Sequence, residues 1–190
     1  MTTVESRPNP GPSAARQVTE HQRVSAVDHR SLAKAVEAAV QAVDSSTLTA
    51  VAPVDAGLAL QPKALLALLA FSYARQIYAS LDIETSLRGD SNFRLLCREQ
   101  FPDARILRRF RRENRKALHT CLTAALRFLA EQKVAQGLVT HVNEAHVTEE
   151  ANRRVIMAMF TDSSAASKDQ TRDTPVDLCY LFANRRLRTH

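Results

Sequence analysis

Apolar positions recur at intervals of three and four along much of the chain, and breaker residues cut that pattern into segments. After Pro62 come Leu65, Leu66, Leu69, Tyr73 and Ile77, a spacing that predicts a helix to about Ala79. Proline suits the first turn, where a missing N–H costs nothing. Ser80 can cap a second helix carrying Ile83 and Leu87, with Gly89 as a left-handed stop. A third, short one starts at Asp90 or Ser91 and bears Phe93, Leu96 and Cys97. Pro102 breaks it, and Asp103 is placed to cap a fourth over 104–112, with Ile106, Leu107 and Phe110 on its apolar side. Asn114 can cap a long fifth helix, counted from Pro62, with a stripe of Leu118, Leu122, Ala125 and Leu129 and an end at Gly137.

The flanks are less regular. Residues 1–30 contain RPNPGPS and otherwise polar, aperiodic sequence, and read as a disordered tail. Ser31 can cap a short helix with Leu32, Val36, Val40 and Val43 on one side, and residues 44–60 read as a linker with Pro53 and Gly57. Thr148 can cap a helix to Phe160, residues 161–173 read as a polar linker, and Thr174-Pro175 open a final helix with Val176, Cys179 and Tyr180 or Phe182. The expected organisation is a tail (1–30), a short helix and linker (31–60), a helical domain (61–139) and a helical extension (140–190). No stretch alternates with period two. The expected fold is all-α, a helix-turn-helix-like bundle with a long fifth helix.

Composition sharpens this. With 4 Gly and 7 Pro in 190 residues, breakers are few, and the abundant Ala, Leu and Arg lose little side-chain freedom in a helix. No apolar run approaches the ~20 residues that span a bilayer, and the N-terminal stretch lacks a signal-peptide core, so a cytoplasmic location is expected. Cys97, Cys121 and Cys179 stand alone in apolar segments, without CxxC spacing, and read as buried free thiols.

Charge is unevenly placed. Between Arg94 and Lys116 nine Arg and Lys face three acids, Glu99, Asp103 and Glu113; this difference of +6 equals the net charge of the whole chain. Within that block Arg105, Arg108, Arg109 and Arg112 fall at i, i+3, i+4 and i+7, on the side of the 104–112 helix away from Leu107. A capped helix with an apolar back and a row of guanidinium groups in front can dock on a core and enter a major groove. The planar fork of Arg matches phosphate and the O6/N7 edge of guanine. Arg111, Arg115 and Lys116 complete the expected contacts, to phosphate. The helices before it, split at Gly89 and Pro102, are compatible with a trihelical unit of helix-turn-helix type.

The ordered set Pro62, Tyr73 to Arg75, Ser80, Phe93 to Cys97, and Pro102, Asp103, Leu107, Phe110 and Arg111, closing with Gly137 to Val139, resembles the InsH-type N-terminal domain of DDE-class insertion-sequence transposases. The resemblance covers about residues 58–139 and implies binding of duplex DNA at element ends. In such enzymes a β-rich nuclease domain follows, opening on a strand with a metal-binding Asp. Here THVNEAHVTEEANRR follows, without Asp or strand alternation, and the remaining residues are too few for a sheet that would converge three carboxylates on two metal ions. The expectation is a DNA-binding protein without nuclease activity of its own. Two alternatives are a module that pairs with itself or a full-length transposase and regulates it, and a decayed fragment.

Other chemistry finds little footing. His141, Glu144 and His146 crowd into HVNEAH, but histidines five apart do not share a helix face and HExxH is absent. Ser86 and His119 lie on different predicted helices with no orienting third group. No catalytic residue, metal or cofactor is expected.

Overall fold

The computed structural model describes residues 28–51 and 60–172. Seven α-helices occur there, α1 (His29–Gln41), α2 (Pro62–Ala74), α3 (Ser80–Gly89), α4 (Ser91–Leu96), α5 (Ala104–Glu113), α6 (Arg115–Ala135) and α7 (Glu144–Arg172), with a 3-10 turn at Ser45–Thr47. No strand occurs among the described residues, and the architecture is all-α. The expected tail to residue 27, the centre of the 44–60 linker and the helix expected after Thr174 lie outside them.

Every residue of α2 from Ala64 to Ala74 is buried. A helix apolar on all sides must be surrounded, and α1, α4, α5, α6 and α7 all pack around it. One continuous core joins Leu32, Val36 and Val40 of α1 with Leu65, Leu69 and Phe71 of α2, Leu118 and Leu122 of α6, and Val147 and Val155 of α7. The packed unit is therefore wider than 61–139 on both sides. Phe71 and Phe93 meet edge to face at 5.3 Å, and Arg75 lies 5.3 Å from each ring centre while its Nη1 bonds Asp90 at 2.6 Å.

Several termini differ from expectation. α1 is capped by Asp28, not Ser31: its carboxylate accepts the Arg30 N–H and the Ser31 hydroxyl. α2 stops at Ala74 rather than Ala79, because Gln76 turns left-handed (φ 64°) and the Ile77 N–H closes on the Ser72 carbonyl at 2.9 Å. Gly89 is the last residue of α3, and the chain leaves through extended Asp90 (φ −109°) without a left-handed glycine. α4 ends on Arg98 and Glu99, both left-handed. Gly137 fulfils its expected role: at φ 71° it closes α6, with Gly137 N–H to the Val134 carbonyl and Leu138 N–H to that of Lys133.

α7 is one helix from Glu144 to Arg172, so the 161–173 stretch is helical through Arg172 and Thr148 caps nothing. Asn143 starts it, its side-chain oxygen accepting the His146 N–H, while the Thr148 hydroxyl bonds back to the Glu144 carbonyl. Val147, Ala151, Val155, Ala158 and Asp162, at steps of three and four, face inward.

Candidate nucleic-acid interface

The basic helix α5 is secured at its start by two carboxylates. Asp103 caps it, accepting the Ile106 N–H at 2.8 Å, and Glu84 reaches across from α3 to the Ala104 N–H at 2.9 Å. Negative charge at a helix N-terminus also complements the macrodipole. Ala104, Leu107 and Phe110 are buried beneath. Between α3 and α5 lie α4 and the left-handed turn at Arg98-Glu99.

Five of the expected cations face solvent. Arg105 is 82% exposed and 3.6 Å from Asp103, and Arg109 is 53% exposed with Nε donating to Glu113 at 2.9 Å. Arg112, Arg115 and Lys116 are exposed, while half-buried Arg108 folds back onto the Ala104 carbonyl. Exposed pairs of this kind contribute about 0–1 kcal/mol, so exchanging a carboxylate for a phosphate costs little. Arg88 is 78% exposed on α3, one turn beyond the Glu84 that caps α5. A count of charge from Arg94 onward misses it; only the packing of α3 against α5 brings it near.

Arg111 corrects the expectation of a phosphate contact. Its side chain is 5% exposed; Nη1 donates to the Tyr73 hydroxyl at 2.9 Å and Nη2 to Asp162 at 2.6 Å. Asp162 in turn accepts the Ser80 N–H at 2.9 Å and the Ser80 hydroxyl at 2.6 Å. Ser80 therefore does not cap its own helix; a carboxylate from α7 does. Burial opposes the charge on Arg111, but Tyr73 and Asp162 outweigh it and hold the guanidinium protonated. Burial pushes the Tyr73 phenol up to about 12, keeping it neutral. The stripe Leu107, Phe110, Arg111, Asn114 and Leu118 was the signal, since these share one face and are all buried.

Asn114 is also unlike the expected cap. Its side chain accepts the Thr49 N–H at 2.8 Å and donates to the Thr49 carbonyl at 3.0 Å, pinning the 44–51 segment at the α5–α6 junction. Leu48 and Val51 of that segment are buried. A second clamp lies on α7, where Arg154 Nη1 donates to the Tyr73 and Ala74 carbonyls that end α2, both at 2.9 Å.

The remaining candidates are occupied elsewhere. Among the described residues no three His, Cys, Asp or Glu gather as a metal ion requires. Glu144 pairs with Arg127 at 2.6 Å, the Ser86 hydroxyl bonds the Asp82 carbonyl, and His119 Nε2 lies 3.3 Å from the Thr148 carbonyl. Burial pushes the Cys97 thiol to about 12 and that of Cys121 to about 11, leaving both unreactive; Cys179 lies outside the described residues. Among the described residues no helix is long and apolar enough to cross a membrane.

An all-helical unit that fixes a basic helix on its surface is thus the class these features define. Residues 20–113, which reach the end of α5, match the family model described as Transposase domain (DUF772). Neither the curated proteins nor the solved structures give a match to the chain.

Proposed function

We propose that this protein binds duplex DNA through α5 and the start of α6, as a transposase-derived module. The carrying observation is the exposed row Arg105, Arg109 and Arg112, continued by Arg115 and Lys116, on a helix whose other side is buried and whose start is doubly capped. Such a helix presents cations without having to order itself on binding. Arg108 supports the row from its half-buried position, Arg88 extends it, and Arg111 serves inside the fold. The transposase-related match agrees with this reading, and the resemblance to insertion-sequence N-terminal domains favours element ends as the target. We further read the chain as binding without cutting, because Glu84, Asp103 and Glu113, the carboxylates in contact with α5, are engaged in caps and an ion pair, and as acting in the cytoplasm with the DNA. Metal-dependent nicking of duplex by purified protein would overturn that part.

The test is a gel-shift series over salt. Affinity should fall with a log–log slope of about −0.9 per phosphate contact, and Arg115→Ala should lower that slope by roughly one. Replacing a groove-facing Arg105 or Arg109 should cost about 1–3 kcal/mol and relax preference at one base position. If Arg105, Arg108, Arg109 and Arg112 are all changed to Ala and duplex is shifted as before, the assignment is wrong. Intact self-association with no salt-dependent DNA retention would instead favour a protein-interaction module regulating a transposase.

A further inference from the structure

α7 carries an apolar patch on the side away from the core. Ile156, Met157, Met159 and Phe160 are 47%, 41%, 36% and 69% exposed, within less than two turns. Together they make a surface of roughly a few hundred Å², the range of the largest apolar patch on a typical monomer, which is often functional. The patch lies on a fixed part of the helix. Arg154 bonds the end of α2 just before it, and Asp162 bonds Ser80 and Arg111 just after it. Its exposure is therefore not the fraying of a helix end.

The chain continues past Arg172 as DTPVDLCYLFANRRLRTH: mostly polar to Asp177, then apolar from Leu178 to Ala183, then basic at Arg185, Arg186 and Arg188. Read backward from Arg172, α7 runs from the polar stretch down to Thr161, through the apolar patch, past exposed Arg153, whose charge is paired with Glu150, to exposed Glu149 and to Glu144. The lengths also agree. From Arg172 back to Phe160 is ~18 Å of helix and back to Glu149 is ~35 Å. Extended chain from Asp173 reaches up to ~30 Å at Leu181 and ~45 Å at Arg186. The tether keeps the segment at millimolar effective concentration over the patch, on the order expected for a short linker.

We propose that residues 174–188 dock back along α7 of the same molecule, Leu181 and Phe182 covering Phe160 and Ile156, with the arginines beside Glu149. The chain contains no tryptophan, so Phe160→Trp in the full chain places a single reporter in the patch. The introduced indole should emit at shorter wavelength and be quenched by acrylamide several-fold less than after the further changes Leu181→Ser and Phe182→Ser. Glu149→Lys should raise quenching in part, and all values should be independent of protein concentration. Equal quenching with and without the two serines overturns the proposal. So does shielding that appears only as sedimentation shows the mass doubling, which would make the occupant a second copy. Met157→Trp repeats the measurement should Phe160→Trp disturb the helix, with the same two outcomes deciding.

Discussion

Replacing Asp162 by alanine should destabilise the protein more than any other single polar change in it. The carboxylate is 7% exposed and accepts bonds from Ser80 N–H, the Ser80 hydroxyl and Arg111 Nη2 at 2.9, 2.6 and 2.6 Å. Without it, a guanidinium that is 5% exposed keeps only Tyr73, and the start of α3 loses its acceptor. Removing one partner of a buried ion pair costs about 3–5 kcal/mol, and a single unsatisfied buried donor about 1–3 kcal/mol. These losses overlap, so about 3–5 kcal/mol is expected for the whole, against total stabilities of roughly 5–15 kcal/mol. For a chain of this size that lowers Tm by roughly 6–20 °C. Asp162→Asn should cost less, since its amide oxygen still accepts from Ser80. Urea unfolding followed by circular dichroism would measure both, with an unchanged m-value showing that only stability moved. If Asp162→Ala lies within about 0.5 kcal/mol of the parent, the size of an ordinary surface change, the buried network does not exist as described.

Leu66→Ala and Leu122→Ala, both at fully buried sites, should each cost about 2–5 kcal/mol in the same urea assay; unaffected stability would deny α2 and α6 their place in the core. Gln76→Gly should raise stability by several tenths to about 1 kcal/mol, because glycine takes the left-handed conformation at φ 64° without a Cβ penalty; a loss would show that the side chain matters more. The bonds from Arg153, and then Arg154, pull the Glu150 carboxyl down to about 2 from 4.5. A lowered folded-state pKa means the stabilisation is complete above 4.5 and is lost as pH falls from there through about 2. The stability gap between the parent and Glu150→Gln should therefore shrink over that window, and a gap that is flat in pH would refute the linkage.

What could be read in the sequence was local. Asp103, Gly137 and Pro62 act within one turn of themselves, and each does in the structure what its residue type suggests. The bundle's leucines follow helical spacing for the same reason. Arg111 was misread because residue type outweighed position: one step round the helix from Arg112, it continues the stripe of Leu107 and Phe110. Its partner Asp162 lies 51 residues away, inside a run of Thr, Asp and Ser that looks like a linker because such residues favour turns and caps. Packing of Val155 and Ala158 and the bonds of Asp162 carry the helix through that run. Ser80 and Asn114 likewise resemble helix caps but spend their hydrogen bonds on distant segments, and no local rule reveals that. The basic face was legible as charge, while Arg88 joins it only through the contact between α3 and α5.

The Asn114 junction bears on the order in which the protein folds. From Ala104 to Ala135 the chain could run as one straight rod, broken only where Asn114 adopts φ −114° and ψ 29°. The amide that holds this elbow grips Thr49, 65 positions earlier. Local helix formation takes on the order of a microsecond, whereas contacts at such separation must wait for a large loop to close. The two halves of the rod should thus form early, and the angle between the basic helix and α6 be set late. Amide exchange at Leu118, whose N–H bonds the Asn114 carbonyl at 3.0 Å, would then follow the docking of residues 44–51 rather than the growth of either helix.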